Sequence, residues 1–137
     1  MRTLSHFIAG NHVEGTSGRF GDIFNPATGE VQAKVAFASR AEMRKAVEAA
    51  LKAFPAWSSV NPQRRARVMF NFKGLVEKHM DELAHMLSSE HGKVLADSRG
   101  DVQRGLEVIE FACGIPHLQK GEYTEGAGPG IDIYSMR

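Results

Sequence analysis

Val31-Gln32-Ala33-Lys34-Val35-Ala36-Phe37-Ala38-Ser39-Arg40-Ala41-Glu42-Met43 contains the point at which this chain changes period. From Val31 to Phe37 apolar and polar residues alternate, the spacing of a half-buried strand. At Ser39 the spacing turns helical. Ser39 with Glu42 three residues on is a capping-box pattern, and Met43, Ala46, Val47, Ala50, Leu51 and Phe54 then share one helical face. Strands therefore lie before residue 38 and the helices begin just after it, which makes the fold α+β.

Toward the N-terminus the pattern predicts antiparallel hairpins over about residues 6–37. His6-Phe7-Ile8-Ala9 and His12-Val13-Glu14 flank Gly10-Asn11, a pair suited to the positive φ of a two-residue turn. Phe20 to Phe24 is a further strand, closed by Asn25-Pro26-Ala27-Thr28-Gly29, where Pro26 fixes φ and Gly29 tolerates the left-handed region. Toward the C-terminus three to four helices are expected, over about 40–55, 62–78, 80–92 and 95–115. Pro55 ends the first, Asn61-Pro62 opens the second, a break near His79 starts the third, and Gly92 stops it. Leu118 to Gly130 reads as loop, and residues 131–136 as a final strand.

The last long helix has two apolar faces. Val102, Leu106, Ile109 and Cys113 form one, and Val108, Phe111 and Ile115 the other. One antiparallel neighbour cannot cover both, and each side chain on the second face is worth roughly 1.5–3 kcal/mol if buried. More chain or another copy is expected there. Gly100 and Gly105 weaken the helix and suggest close approach of another element.

Composition narrows function by exclusion. The 137 residues carry 17 Lys+Arg against 16 Asp+Glu, a net charge of +1, which disfavours a nucleic-acid-coating protein. No apolar run reaches the roughly 18 residues of a membrane span, and no signal-peptide pattern opens the chain. With one cysteine, a cytoplasmic location is the expectation. Cys113 lies on an apolar helical face and reads as a buried, inert thiol rather than a nucleophile. His79, His85 and His91 are six apart and fall on different faces, so no metal site is expected. Gly126-Ala127-Gly128-Pro129-Gly130 lacks the following helix that a phosphate cradle requires. Arg64, Arg65, Arg67 and Lys73 read as a solvated or salt-bridged surface.

Four short motifs stand in order across the chain: Phe7-Ile8-Ala9-Gly10-Asn11, Phe24-Asn25-Pro26-Ala27-Thr28-Gly29-Glu30, Ala53-Phe54-Pro55-Ala56-Trp57-Ser58 and Glu90-His91-Gly92-Lys93. Together they resemble the N-terminal part of the aldehyde dehydrogenase superfamily. Arg64-Arg65-Ala66-Arg67-Val68-Met69-Phe70-Asn71-Phe72 and Gly100-Asp101-Val102-Gln103-Arg104-Gly105-Leu106-Glu107-Val108 are similar to the methylmalonate-semialdehyde dehydrogenase group, as are Glu110-Phe111-Ala112-Cys113 and Ile115-Pro116.

This resemblance implies an N-terminal fragment of an α/β aldehyde dehydrogenase fold, residues 1–137 forming one segment from the cofactor-binding and oligomerisation regions. The implied parent is NAD-dependent and CoA-acylating. It oxidises malonate or methylmalonate semialdehyde to an acyl-CoA with loss of carbon dioxide, in valine, pyrimidine or inositol breakdown. NAD and coenzyme A belong to the complete enzyme, and neither is expected bound to the fragment, which lacks the catalytic cysteine. The resemblance also implies one substrate-binding residue, Arg104, whose planar guanidinium suits a carboxylate. The competing reading makes Arg104 a surface partner of Asp101 or Glu107. The expected partners are further copies: a homodimer of the fragment and a homotetramer of the complete enzyme. The alternative function is a non-catalytic helical interaction module.

Overall fold

The computed structural model describes all of residues 1–137. Its elements are β1 (Arg2–Leu4), β2 (His6–Ile8), β3 (Asn11–Val13), β4 (Phe20–Phe24), β5 (Val31–Ala36), α1 (Arg40–Ser58), α2 (Pro62–Lys78), α3 (Met80–His91), α4 (Leu95–Cys113), α5 (Ile115–Leu118), β6 (Tyr123–Gly128) and β7 (Ile131–Tyr134).

The strands form a three-stranded sheet, β1-β5-β4, and two separate hairpins, β2-β3 and β6-β7. β4 pairs antiparallel with β5 through the Asn25–Gly29 turn. There Asn25 Oδ1 accepts from the Ala27 N–H at 2.9 Å, and Gly29 adopts φ +75°. β1 departs from the expected all-antiparallel arrangement, because it runs parallel to β5 with Thr3 opposite Lys34. Three residues pairing with a strand some 30 positions away leave no local pattern to read. In the β2-β3 hairpin the turn sits one residue earlier than expected. Ala9 and Gly10 carry the positive φ, at +52° and +80°, and Asn11 begins β3.

The first two helices start at side-chain caps. The Ser39 hydroxyl accepts from the Glu42 N–H, and the Glu42 carboxylate accepts in return from the Ser39 N–H at 2.7 Å. The same carboxylate accepts from the N–H and hydroxyl of Thr16, at 2.6 and 3.0 Å, so the cap also ties the strand layer to α1. The backbone donors of Ser39 and Thr16 hold the Glu42 pKa at about 2, below its ordinary 4.5. Asn61 caps α2, and Gly92 ends α3 in the left-handed region at φ +84°. α1 does not stop at Pro55. The missing proline N–H falls in its last turn, and the Pro55 carbonyl still accepts from the Ser59 N–H at 3.3 Å.

α2, α3 and α4 pack around Val76, Ala84, Ser98, Leu106 and Cys113. Small side chains permit the α3–α4 approach: Ala84 and Ser98 are fully buried, and the Ser88 and Ser98 hydroxyls are hydrogen-bonded at 2.8 Å. Gly100 and Gly105 do not serve that purpose, since a Cβ on either would meet nothing within 4 Å. The expected C-terminal loop is instead β6, paired with β7. Asp132 organises it, accepting from the Gly126 N–H at 2.8 Å and the Tyr123 hydroxyl at 3.0 Å.

The core is thin. Nine residues of 137 are buried, and Met43, Val47, Leu51 and Phe54 on the apolar stripe of α1 remain exposed. The chain exposes 10728 Å², whereas a compact monomer of 15.0 kDa exposes about 7,000 Å². About a third of its surface is thus in excess of what a self-sufficient globule shows.

Candidate functional site

α4 turns opposite faces to the protein and to solvent. Leu106 and Cys113 are buried, and Val102 and Ile109 half-buried, as the periodicity requires. Arg104 lies about 160° around the helix from Leu106. It shares the outward face with Gly100, Val108 and Phe111, of which Val108 is 68% exposed and Phe111 67%. A cation therefore sits at the head of an uncovered apolar stripe.

Two carboxylates flank Arg104, one turn away on each side, and both are engaged elsewhere. Lys93 Nζ donates to Asp101 Oδ2, and Gln103 Nε2 donates to Glu107 Oε1 at 3.4 Å. The Lys93 ammonium holds the Asp101 carboxyl below the usual range, with smaller help from Arg104 and His91. Arg104 itself is exposed and pairs with neither carboxylate. An unpaired guanidinium keeps its donor fork available for a planar anion.

Local folding places Lys93. It follows Gly92, whose left-handed backbone closes α3 and rests on Pro26, where an added Cβ would come within 3.1 Å of the ring. The Asn-Pro-Ala-Thr-Gly turn and the Glu-His-Gly-Lys segment, far apart in sequence, thus meet and set the entry to α4. The resemblance singled out Arg104, the competing reading of a pair with Asp101 or Glu107 is not what the structure holds, and the Lys93–Asp101 pair was missed. Eight residues across a helix start is no recognisable spacing.

The remaining candidates resolve in place. Cys113 is buried against α2, in the wall of an open groove lined by Arg67, Lys73, Glu110 and His117. Of the basic cluster on α2, Lys73 pairs with Glu77 at 2.5 Å, and that hydrogen bond raises its pKa. Arg65 is half-buried, with its Nε lacking a hydrogen-bond partner. No three His, Cys, Asp or Glu side chains converge as a metal centre would need. Gly126 to Gly130 run from the last half of β6 into the turn before β7, with no helix after it. Those residues do not fit a dinucleotide phosphate, and no step is assigned through one. No helix is long and apolar enough to cross a membrane.

A small sheet leads into a helical layer, and Arg104 is one of several unpaired cations on its outward faces. The aldehyde dehydrogenase family profile matches residues 12–137, and the chain belongs to that family of oxidoreductases. Within it, the chain is 44% identical to a malonate-semialdehyde dehydrogenase of Pseudomonas aeruginosa, over 98% of this chain and 27% of that protein. It is 47% identical to the mitochondrial acylating methylmalonate-semialdehyde dehydrogenase of Arabidopsis thaliana, over 98% of this chain and 22% of that one. A Sinorhizobium meliloti 1021 structure described as a methylmalonate-semialdehyde dehydrogenase, complexed with NAD, superimposes with TM-score 0.90 at 62% identity. That match covers all of this chain and 28% of the other. The chain therefore spans about a quarter of the length of these relatives and has the fold of their N-terminal part.

Proposed function

We propose that these residues are the N-terminal segment of an NAD-dependent, CoA-acylating malonate- or methylmalonate-semialdehyde dehydrogenase, and that Arg104 binds the substrate carboxylate. The observation that carries the reading is the unpaired guanidinium of Arg104 on the outward face of α4. There both neighbouring carboxylates are occupied by other side chains. A semialdehyde of this class has a carboxylate at one end and the reacting carbonyl at the other. A fixed cation can therefore select it over a plain aldehyde by charge-assisted hydrogen bonds. The likeness to relatives bearing these names, over nearly the whole chain, supports the same reading.

The excess surface fits a segment of a larger assembly. α1 exposes Met43, Leu51 and Phe54, α4 exposes Val108 and Phe111, and the β6-β7 hairpin exposes Ile131, Ile133 and Tyr134. Patches of that extent mark surfaces that another element covers. In the complete enzyme the cover is further chain and further subunits, as a homotetramer. In the isolated segment, a second copy takes that place.

The test is product identity. The complete enzyme, given malonate semialdehyde, NAD and coenzyme A, forms acetyl-CoA, carbon dioxide and NADH in equal amounts. Given methylmalonate semialdehyde it forms propionyl-CoA. Release of the free dicarboxylic acid, with no dependence on coenzyme A, would refute the acylating assignment.

A further inference from the structure

Asp101 stands one turn before Arg104 on α4, within reach of an i, i+3 ion pair, yet its carboxylate is taken by Lys93 from the α3–α4 connection. We propose that Lys93 is a positioning residue for the Arg104 site: by engaging Asp101 it keeps that carboxylate from capturing the guanidinium and from repelling an incoming anionic substrate. The inference rests on the assignment of Arg104 to the substrate carboxylate and adds the residue that keeps Arg104 available.

Three features of the fold make Lys93 suited to this work. It is placed by backbone rather than by chance, since Gly92 is locked at φ +84° against Pro26 and Val94 begins the cap of α4. Its side chain is only 22% exposed against 48% for Asp101, so the ammonium is the better-held partner. The charges also add in the required direction. Lys93, Asp101, Arg104 and Glu107 together are neutral, and the group carries one net negative charge without Lys93. An anion arriving at Arg104 would then meet a net negative group. Glu107, on the other flank, is held by uncharged Gln103, so only the Asp101 side depends on a cation.

The experiment uses the complete enzyme and compares malonate semialdehyde with an uncharged aldehyde of similar length. Lys93→Met should raise KM for the semialdehyde about two- to fivefold, the scale of one exposed ion pair. kcat, and KM for the uncharged aldehyde, should stay within about twofold. Lys93→Arg should behave as wild type. Asp101→Asn added to Lys93→Met should restore KM for the semialdehyde, because the competing carboxylate is gone. A purely structural Lys93 would change KM for both aldehydes alike, whereas this role confines the change and its rescue to the semialdehyde. Unchanged KM in Lys93→Met, equal losses for both aldehydes, or failure of Asp101→Asn to restore would each overturn the proposal. Arg104→Leu in the same series separates the two claims. If it discriminates between the aldehydes and Lys93→Met does not, only the role of Lys93 falls. If Arg104→Leu does not discriminate, the assignment of Arg104 falls first.

Discussion

Replacing Leu106 and Val108 by alanine, one at a time in the 137-residue chain, tests the opposed faces of α4. Leu106→Ala deletes three carbons from a side chain that is 6% exposed. At about 0.8 kcal/mol per buried methylene the transfer loss is about 2.4 kcal/mol. The site opens toward half-buried neighbours and can partly collapse, which keeps the cost near the low end of the roughly 2–5 kcal/mol range for such changes. Val108→Ala deletes two carbons from a side chain that is 68% exposed. About 0.5 kcal/mol of burial is then lost, and a similar amount returns because alanine favours the helix over valine. The expected outcome is a loss of about 2.5 kcal/mol for Leu106→Ala, lowering Tm by roughly 10 °C, and no measurable change for Val108→Ala. Urea and thermal unfolding followed by circular dichroism at 222 nm measure both, with each change made in the Phe111→Glu background so that the chain is monomeric and Val108 stays in solvent. Equal losses, or the larger loss at Val108, would show that α4 is rotated from the orientation described.

Three further outcomes follow from the same geometry. Glu42 titrates at about 2 when folded and near 4.5 when unfolded, so its contribution is full above about pH 4.5 and is lost as pH falls toward 2. Glu42→Gln should flatten that part of the acid limb in unfolding curves, and an unaltered limb would remove Glu42 from its cause. The 137-residue chain should self-associate through Val108, Phe111 and the β6-β7 hairpin, with a two-fold dimer as the simplest closed form. Light scattering should find Phe111→Glu monomeric, and a wild-type monomer at micromolar concentration would contradict the placement. The chain alone should reduce no NAD with any aldehyde, with or without coenzyme A; turnover lost on Cys113→Ala would reverse the reading of that buried thiol.

The helical half of the fold was legible because its signals are local. The Ser39–Glu42 capping box, the Asn61-Pro62 start, the His79 break and the Gly92 stop each depend on residues within four positions of one another. What escaped depends on partners distant in sequence. β1 exists because β5 offers it a parallel edge, and β6 forms in glycine-rich sequence because β7 and Asp132 hold it. Pro55 marked a helix end that α1 passes by three residues, because a proline removes one bond to the carbonyl four residues back while its own carbonyl still accepts from Ser59. The apolar stripe of α1 was correctly periodic, yet periodicity says only that a face wants cover. The candidate site divides in the same way. The outward position of Arg104 follows from counting along α4, whereas the capture of Asp101 by Lys93 depends on how Gly92 meets Pro26.

The account turns on Arg104 as the carboxylate anchor of a semialdehyde dehydrogenase, and one ratio measures that claim. In the complete enzyme, kcat/KM for malonate semialdehyde is divided by kcat/KM for propanal, first in wild type and then in Arg104→Leu. The predicted result is a fall in that ratio of about ten- to a hundredfold, the scale of a lost charge-assisted hydrogen bond, with propanal turnover nearly unchanged. A ratio that stays constant while both substrates lose activity together would contradict the assignment and make Arg104 a structural residue of α4.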